Sequence, residues 1–344
     1  MRTGMRIGVR VPPCRPATEV AAFAADVEDA GFDLLYVPDS QILWRDSYLT
    51  LFAAALRTSE LGLGTAVSNV VTRHPSVVAS LSRTVAEVAP GRFFLGLGVG
   101  NSSVEPVGLR PSKQADLRRG IEQIRHLLAG QDVDFDGVEA RMRDPQPGVP
   151  IHVAATGPRN LRFAGEVADG AILLSGVAPD LLSRAVGLIH DGARSAGRDP
   201  GGLEIVVSAH AMVTDDVRRD ARMLKPICAG IAQRGGRAAL AAAGVHVEVP
   251  ADVPDVYPDL VHAEDWDYAV ERCSDWITDD DAVAFARTFC LFGSAEEIVA
   301  RIDHAAGLGA TAIFLQHVGS YDLPERLVAD IGDRVLPRLA RSAA

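Results

Sequence analysis

Short apolar runs alternate along the chain with longer amphipathic ones at near-regular spacing. Residues 6–11 form a brief strand-like run, and 17–30 repeat apolar positions at helical spacing before Gly31, a residue suited to ending a helix. The couplet recurs as 32–37 before 47–60, 61–67 before 75–89, 92–97 before 112–129, 150–154 before a helix reaching Ala168, and 171–174 before 179–196. Runs at 203–210 and 311–315 complete eight strand-like segments, with further helices expected over 294–307 and 323–339. Pro75 stands at a first helical position, where its missing N–H costs nothing. Repeated strand–helix units imply a parallel sheet, and eight imply closure. The expectation is an α/β fold, a (β/α)8 TIM barrel spanning 1–344 as one domain.

Two stretches break the rhythm. Residues 131–148 are polar and punctuated by Pro and Gly, which predicts a small hairpin or loop. Residues 214–289 form a long insertion between strands seven and eight, Ala/Arg-rich and helical at first, then rich in Asp and Pro over 249–267. Long barrel insertions usually follow strand C-termini, where active sites lie, so this one reads as a lid or substrate wall. The alternative is a peripheral packing or dimer element.

Charge and cysteine usage narrow the function classes. The net charge of −11 comes without a clustered basic face, which excludes nucleic acid as a partner. Cys14, Cys228, Cys273 and Cys290 are scattered, with no Cys-x-x-Cys, so unpaired thiols in a reducing cytoplasm are expected. No long apolar run follows the first arginines, and no stretch reaches the ~18 apolar residues of a membrane span. Neither a signal peptide nor a membrane partner is therefore expected. No His, Asp or Glu cluster has metal-ligand spacing, and Asp279-Asp280-Asp281 reads as a solvated helix start. A Rossmann reading fails for want of a Gly-x-Gly-x-x-Gly with a downstream acid.

Candidate chemistry sits at strand ends. Gly62 and Gly64 are read as flattening strand three, and strand four closes on Gly96, Gly98 and Gly100; glycine there lets backbone approach a planar ligand. Thr156-Gly157-Pro158 places a turn before a helix whose free N–H groups and dipole suit an anion, with a hydroxyl from Thr156 and a charge from Arg159; read alone, the motif is equally an ordinary cap. Arg10 ends strand one and could pair with an anionic substrate. Trp44 could wall the substrate pocket, and His317, beside Gln316 at the end of strand eight, could touch substrate. His74 is expected to cap a helix or to pack.

The run 61–103, with Thr72-Arg73-His74-Pro75, Pro90-Gly91-Arg92 and a Gly-x-Gly-x-Gly close, resembles the bacterial luciferase-like superfamily, as does the block 149–170. Within it, the chain resembles the F420-dependent branch of methylenetetrahydromethanopterin reductase-like and F420-dependent glucose-6-phosphate dehydrogenase-like oxidoreductases. The resemblance implies a bulge with a non-proline cis peptide joining Ala66 and Val67 which, with Ser68, backs the isoalloxazine or deazaflavin ring and bends it. It implies that Val99, Gly100 and Asn101 line the pyrimidine end. The ribityl phosphate would lie over Ala155, Thr156, Gly157, Pro158, Arg159 and Asn160, with Ser175 and Gly176 as a second wall. Asp39 matches the family, but the His common at the next position is replaced by Ser40. Serine suits hydrogen bonding rather than proton abstraction at neutral pH, which argues against sugar-phosphate dehydrogenation. Hydride addition to an activated double bond or imine, and monooxygenation, remain compatible with it.

Asp39, Ser40 and Asn101 are thus the catalytic candidates, and F420 is the expected cofactor, with FMN the alternative. The expected activity is hydride transfer between the deazaflavin C5 and a small organic substrate. The alternatives are an FMN-dependent monooxygenase using reduced flavin and O2, and a non-catalytic flavin-binding protein, which the loss of the histidine at position 40 would suit. A homodimer is expected by analogy with the family.

Overall fold

Eleven strands form among the described residues: β1 (Arg6–Arg10), β2 (Leu34–Val37), β3 (Gly62–Thr65), β4 (Phe93–Leu97), β5 (Val133–Phe135), β6 (Val138–Ala140), β7 (Ile151–Ala155), β8 (Gly170–Leu173), β9 (Glu204–Val213), β10 (Leu291–Gly293) and β11 (Ala312–Gln316). The computed structural model describes residues 4–174, 176–319 and 321–342. Eight strands pair in parallel in the order β9-β11-β1-β2-β3-β4-β7-β8, and β8 returns to β9, closing a (β/α)8 barrel. The expected couplets are all present. β10 was not expected: it lies outside the closed ring and extends the far end of β9, with Leu291 opposite Ala211.

The barrel interior is filled rather than hollow. Leu34, Tyr36, Phe94, Ile172, Val206, Ala312 and Phe314 form one buried cluster, and Tyr36 stacks on Phe314 at 4.4 Å. Inward positions alternate along each strand, so every second side chain feeds this cluster. Gly64 serves it sterically rather than by flattening β3, since a Cβ there would stand 1.7 Å from the Phe94 ring. Ala66, Val67 and Ala154 pack on the same cluster, so the turn after β3 rests on an aromatic plug. A larger core lies between the strands and the surrounding helices.

The elements follow local chemistry closely. The helix Pro75–Val88 begins under His74, whose Nδ1 accepts the Ser76 N–H at 3.3 Å while its ring lies 5.0 Å from Phe135. His74 therefore both caps and packs. Residues 131–148 contain the expected hairpin, β5–β6, turned by Asp136 and Gly137 with positive φ (52° and 93°), the requirement of a two-residue hairpin turn. Two expected helices are shorter than predicted. The helix Ser47–Ala55 stops early, and the Arg92 guanidinium takes the carbonyls of Ala55, Thr58 and Leu61 beyond it. The last helix breaks at Val335 into Glu325–Arg334 and Leu336–Ser342, because Pro337 cannot continue the hydrogen-bond ladder.

The insertion is helical from Val217 to Ala242 apart from a kink at Arg234 and Gly235, irregular through the Asp/Pro-rich stretch, and helical again in Trp266–Cys273 and Asp279–Phe289. Thr278 and Asp281 form a capping box, so the acidic triplet is the helix start expected of it. The insertion has a hydrophobic cluster of its own, including Leu240, Trp266 and Phe285. All four cysteines are free and buried. No helix among the described residues is long and apolar enough to cross a membrane.

Candidate functional site

β3 ends in a turn stitched to β4. Thr65 Oγ1 donates to the Gly96 carbonyl at 2.7 Å and accepts the Gly96 N–H at 2.9 Å. A Cβ on Gly96 would stand 2.0 Å from the Thr65 carbonyl oxygen, so only glycine permits this approach. The Ala66–Val67 peptide is cis, as the resemblance implied, and both residues are half-buried at the barrel mouth. Ser68 then returns to β4: its N–H bonds the Gly96 carbonyl at 2.8 Å, and its carbonyl receives the Gly98 N–H at 2.9 Å.

Below that turn lies a buried ionic cluster. Asp39, 4% exposed, accepts two hydrogen bonds from Arg73 (Nη2–Oδ1 2.8 Å, Nε–Oδ2 3.2 Å) and one from Ser68 Oγ at 2.6 Å. Arg73 also reaches Asp46 at 3.0 Å. Burial opposes the Arg73 charge, but the hydrogen bonds and charge of Asp39 outweigh it and raise its pKa. Both Asp39 oxygens are thus engaged, and the residue holds the turn through Ser68. Ser40 Oγ lies 2.7 Å from Ser102 Oγ, which ties the end of β2 to the loop after β4. Asn69, absent from the sequence-derived candidates, organises the same loop: its Oδ1 accepts the Val71 and Thr72 N–H groups, and its Nδ2 donates to Ser103 Oγ at 3.0 Å. Its place one residue past Ser68 was the signal available in the sequence.

Val99 and Gly100 are half-buried at the end of β4, Gly100 with φ of 78°, and Asn101 is exposed beside them. On the next strand, β7, Ala155 is buried and Thr156 leads into the helix Gly157–Val167. Gly157 has φ of 71°, Pro158 occupies the first turn, and no side chain caps the helix. Thr156, Gly157, Pro158 and Arg159 are exposed, while Asn160 Oδ1 accepts from Gln114 Nε2 at 2.7 Å. Gly176 is buried against Phe289, the last residue of the insertion's final helix. Ser175 lies outside the described residues.

The three substrate candidates meet in one cavity. Arg10, Trp44 and His317 line a small cavity, partly open to solvent, together with His210, Tyr321 and Trp266. Trp44 stacks on Tyr321 at 4.7 Å, and the Arg10 guanidinium carbon lies 5.9 Å from the Trp44 ring. His210, on β9 opposite Gln316 of β11, was not among the sequence-derived candidates, although it closes the predicted run 203–210. Burial, then the Arg10 and His317 charges, hold its pKa down to about 4. The insertion supplies Ile227, Val261, His262 and Ala263 to the walls of the same cavity.

A closed parallel barrel whose strand ends gather a stitched backbone turn, a glycine-rich loop and an uncapped helix N-terminus is a cofactor-binding enzyme scaffold. The profile described as luciferase-like monooxygenase matches residues 3–312, and the chain belongs to that family. It is 35% identical over 219 residues to a 5,10-methylenetetrahydromethanopterin reductase of Methanolobus tindarius, covering 62% of this chain and 66% of the relative. It is 30% identical over 345 residues to an F420-dependent glucose-6-phosphate dehydrogenase of Nakamurella multipartita, covering 94% and 92%. A coenzyme F420-dependent tetrahydromethanopterin reductase structure from Methanopyrus kandleri shares the fold with a TM-score of 0.78 at 21% identity, covering 98% of this chain and all of that one.

Proposed function

We propose that this chain is an F420-dependent oxidoreductase that moves a hydride between the deazaflavin C5 and a small organic substrate. The observation that carries the reading is the placement of three segments on neighbouring strands: the Ala66–Val67 turn after β3, Val99–Asn101 after β4, and the open helix N-terminus after β7. A planar ring fits against a turn that glycines on β4 allow to approach closely, and the uncapped amide groups suit a phosphate. Two relatives named above for F420 support the choice of cofactor.

When bound, F420 supplies hydride chemistry. The chain's own residues supply orientation and electrostatics. Ala66, Val67 and Ser68 back the ring, with Asp39 holding Ser68 in place and Arg73 holding Asp39. Thr156, Gly157, Arg159 and Asn160 hold the phosphate. Ser40 is paired with Ser102, which suits hydrogen bonding at the mouth and not proton abstraction. The cavity lined by Arg10, Trp44 and His317 takes the substrate, and the insertion forms part of its wall.

The test is a parallel titration of the purified protein with F420 and FMN. Saturable F420 binding with at least tenfold weaker FMN binding is the expected result. Tight binding of FMN alone would overturn the reading in favour of oxygen chemistry.

A further inference from the structure

We propose that the cavity between the barrel mouth and the insertion is a carboxylate subsite, where the Arg10 guanidinium receives the acid group of an organic-acid substrate. This rests on the oxidoreductase reading above and names its substrate class.

Arg10 ends β1 and lines the cavity. Among the described residues no aspartate or glutamate pairs with it, and the ring of Trp44 is its recorded cation–π partner. Desolvation alone lowers its pKa, to about 10, with no carboxylate nearby to restore it. Two further polar atoms in the same walls, Trp44 Nε1 and His210 Nδ1, are buried without a hydrogen-bond partner. Buried polar groups are normally satisfied, and the half-buried Arg10 guanidinium faces the cavity with no anion beside it. Among the described residues no acidic side chain lines this cavity, in a chain that carries 45 of them. A single ligand anion would answer all three deficits: the guanidinium fork, the indole N–H, and a His210 ring that can take up a proton beside it.

The geometry favours a carboxylate over a phosphate. One planar guanidinium matches a two-oxygen acceptor, whereas no lysine and no second arginine lines the cavity to share a higher charge. Ile227, Val261 and Trp266 make the remaining wall apolar, and the stacked Trp44–Tyr321 pair offers a flat aromatic edge. The acid's body is thus unsaturated or aromatic. β1, β9 and β11 hold this subsite while β3, β4 and β7 hold the cofactor segments, with β2 between them on the mouth.

The test is a ligand-observed NMR titration of the full chain with benzoate, benzamide and phenyl phosphate, alongside a separate F420 titration. Benzoate is expected to bind at least tenfold more tightly than benzamide, and more tightly than phenyl phosphate. Arg10→Gln is expected to weaken benzoate at least tenfold while F420 affinity changes less than twofold, and Arg10→Lys to fall between. Should Arg10→Gln not fold, Trp44→Phe keeps the ring, removes the N–H, and is expected to weaken benzoate severalfold with benzamide unaffected. Equal binding of benzoate and benzamide, preference for phenyl phosphate, no binding of any probe, or an undiminished benzoate affinity in the variants would each overturn the proposal. Failure of F420 to bind would sink the oxidoreductase reading and leave the benzoate comparison standing by itself.

Discussion

Asp39 is buried and His210 half-buried, and their surroundings treat them in opposite ways. Arg73 and Ser68 engage both Asp39 oxygens, so the carboxylate holds the turn after β3 through Ser68. His210 has no carboxylate beside it, so burial and the neighbouring Arg10 and His317 keep it neutral, with a pKa of about 4. An unfolded histidine titrates near 6.5. The unfolded chain therefore binds the extra proton first, and the stability present above pH 6.5 is lost as pH falls toward 4. At pH 5 the loss amounts to about 2 kcal/mol. His210→Gln cannot take the proton, so its urea midpoint is expected to fall less than the wild type's between pH 7 and pH 5. Equal falls in both proteins would count against the assignment. Sequence could flag Asp39 and the missing histidine at position 40, but not the Arg73 pairing that decides what Asp39 does.

The helix Gly157–Val167, proposed above to hold the phosphate, is held by close backbone contact. It packs on the helix Pro179–Ser195 through Gly165 and Gly192, where added Cβ atoms would stand 2.0 Å from the carbonyl oxygens of Ile189 and Arg162. Gly192→Ala must push the helices apart, at a cost of about 2 kcal/mol. Gly187, on the same helix, has open space around it, and Gly187→Ala is expected to be neutral or stabilising by about 0.5 kcal/mol. Chemical denaturation of the two variants checks the contrast. Periodicity located both helices to within a residue or two. It overran at 47–60 and 323–339, where Arg92 and Pro337 intervene, and it missed β10, whose three residues have no signature apart from β9.

At the scale of the molecule, two hydrophobic cores meet at the candidate site. The barrel core holds the mouth rigid, while the insertion folds around its own cluster. Ile227 and Trp266 belong to that second cluster and line the cavity that holds Arg10. Occupying the cavity should therefore stabilise the insertion more than the barrel. Hydrogen exchange of amides in 259–266 is expected to slow on adding benzoate, with the barrel strands unchanged. Uniform slowing, or none, would mean that the insertion does not respond to the site.

Local pattern determined the strand–helix alternation, the parallel barrel, the hairpin, and the caps at His74 and Thr278, because each depends on neighbours in the chain or on a motif of adjacent residues. Tertiary structure alone decided which charges are paired and which are left open. Asp39 meets Arg73 across 34 positions, Ser40 meets Ser102 across 62, and Arg10, Trp44 and His210 converge on one cavity from β1, a loop and β9. Electrostatic partnership is set by distance and burial in space, and barrel closure brings together residues that no spacing along the chain relates.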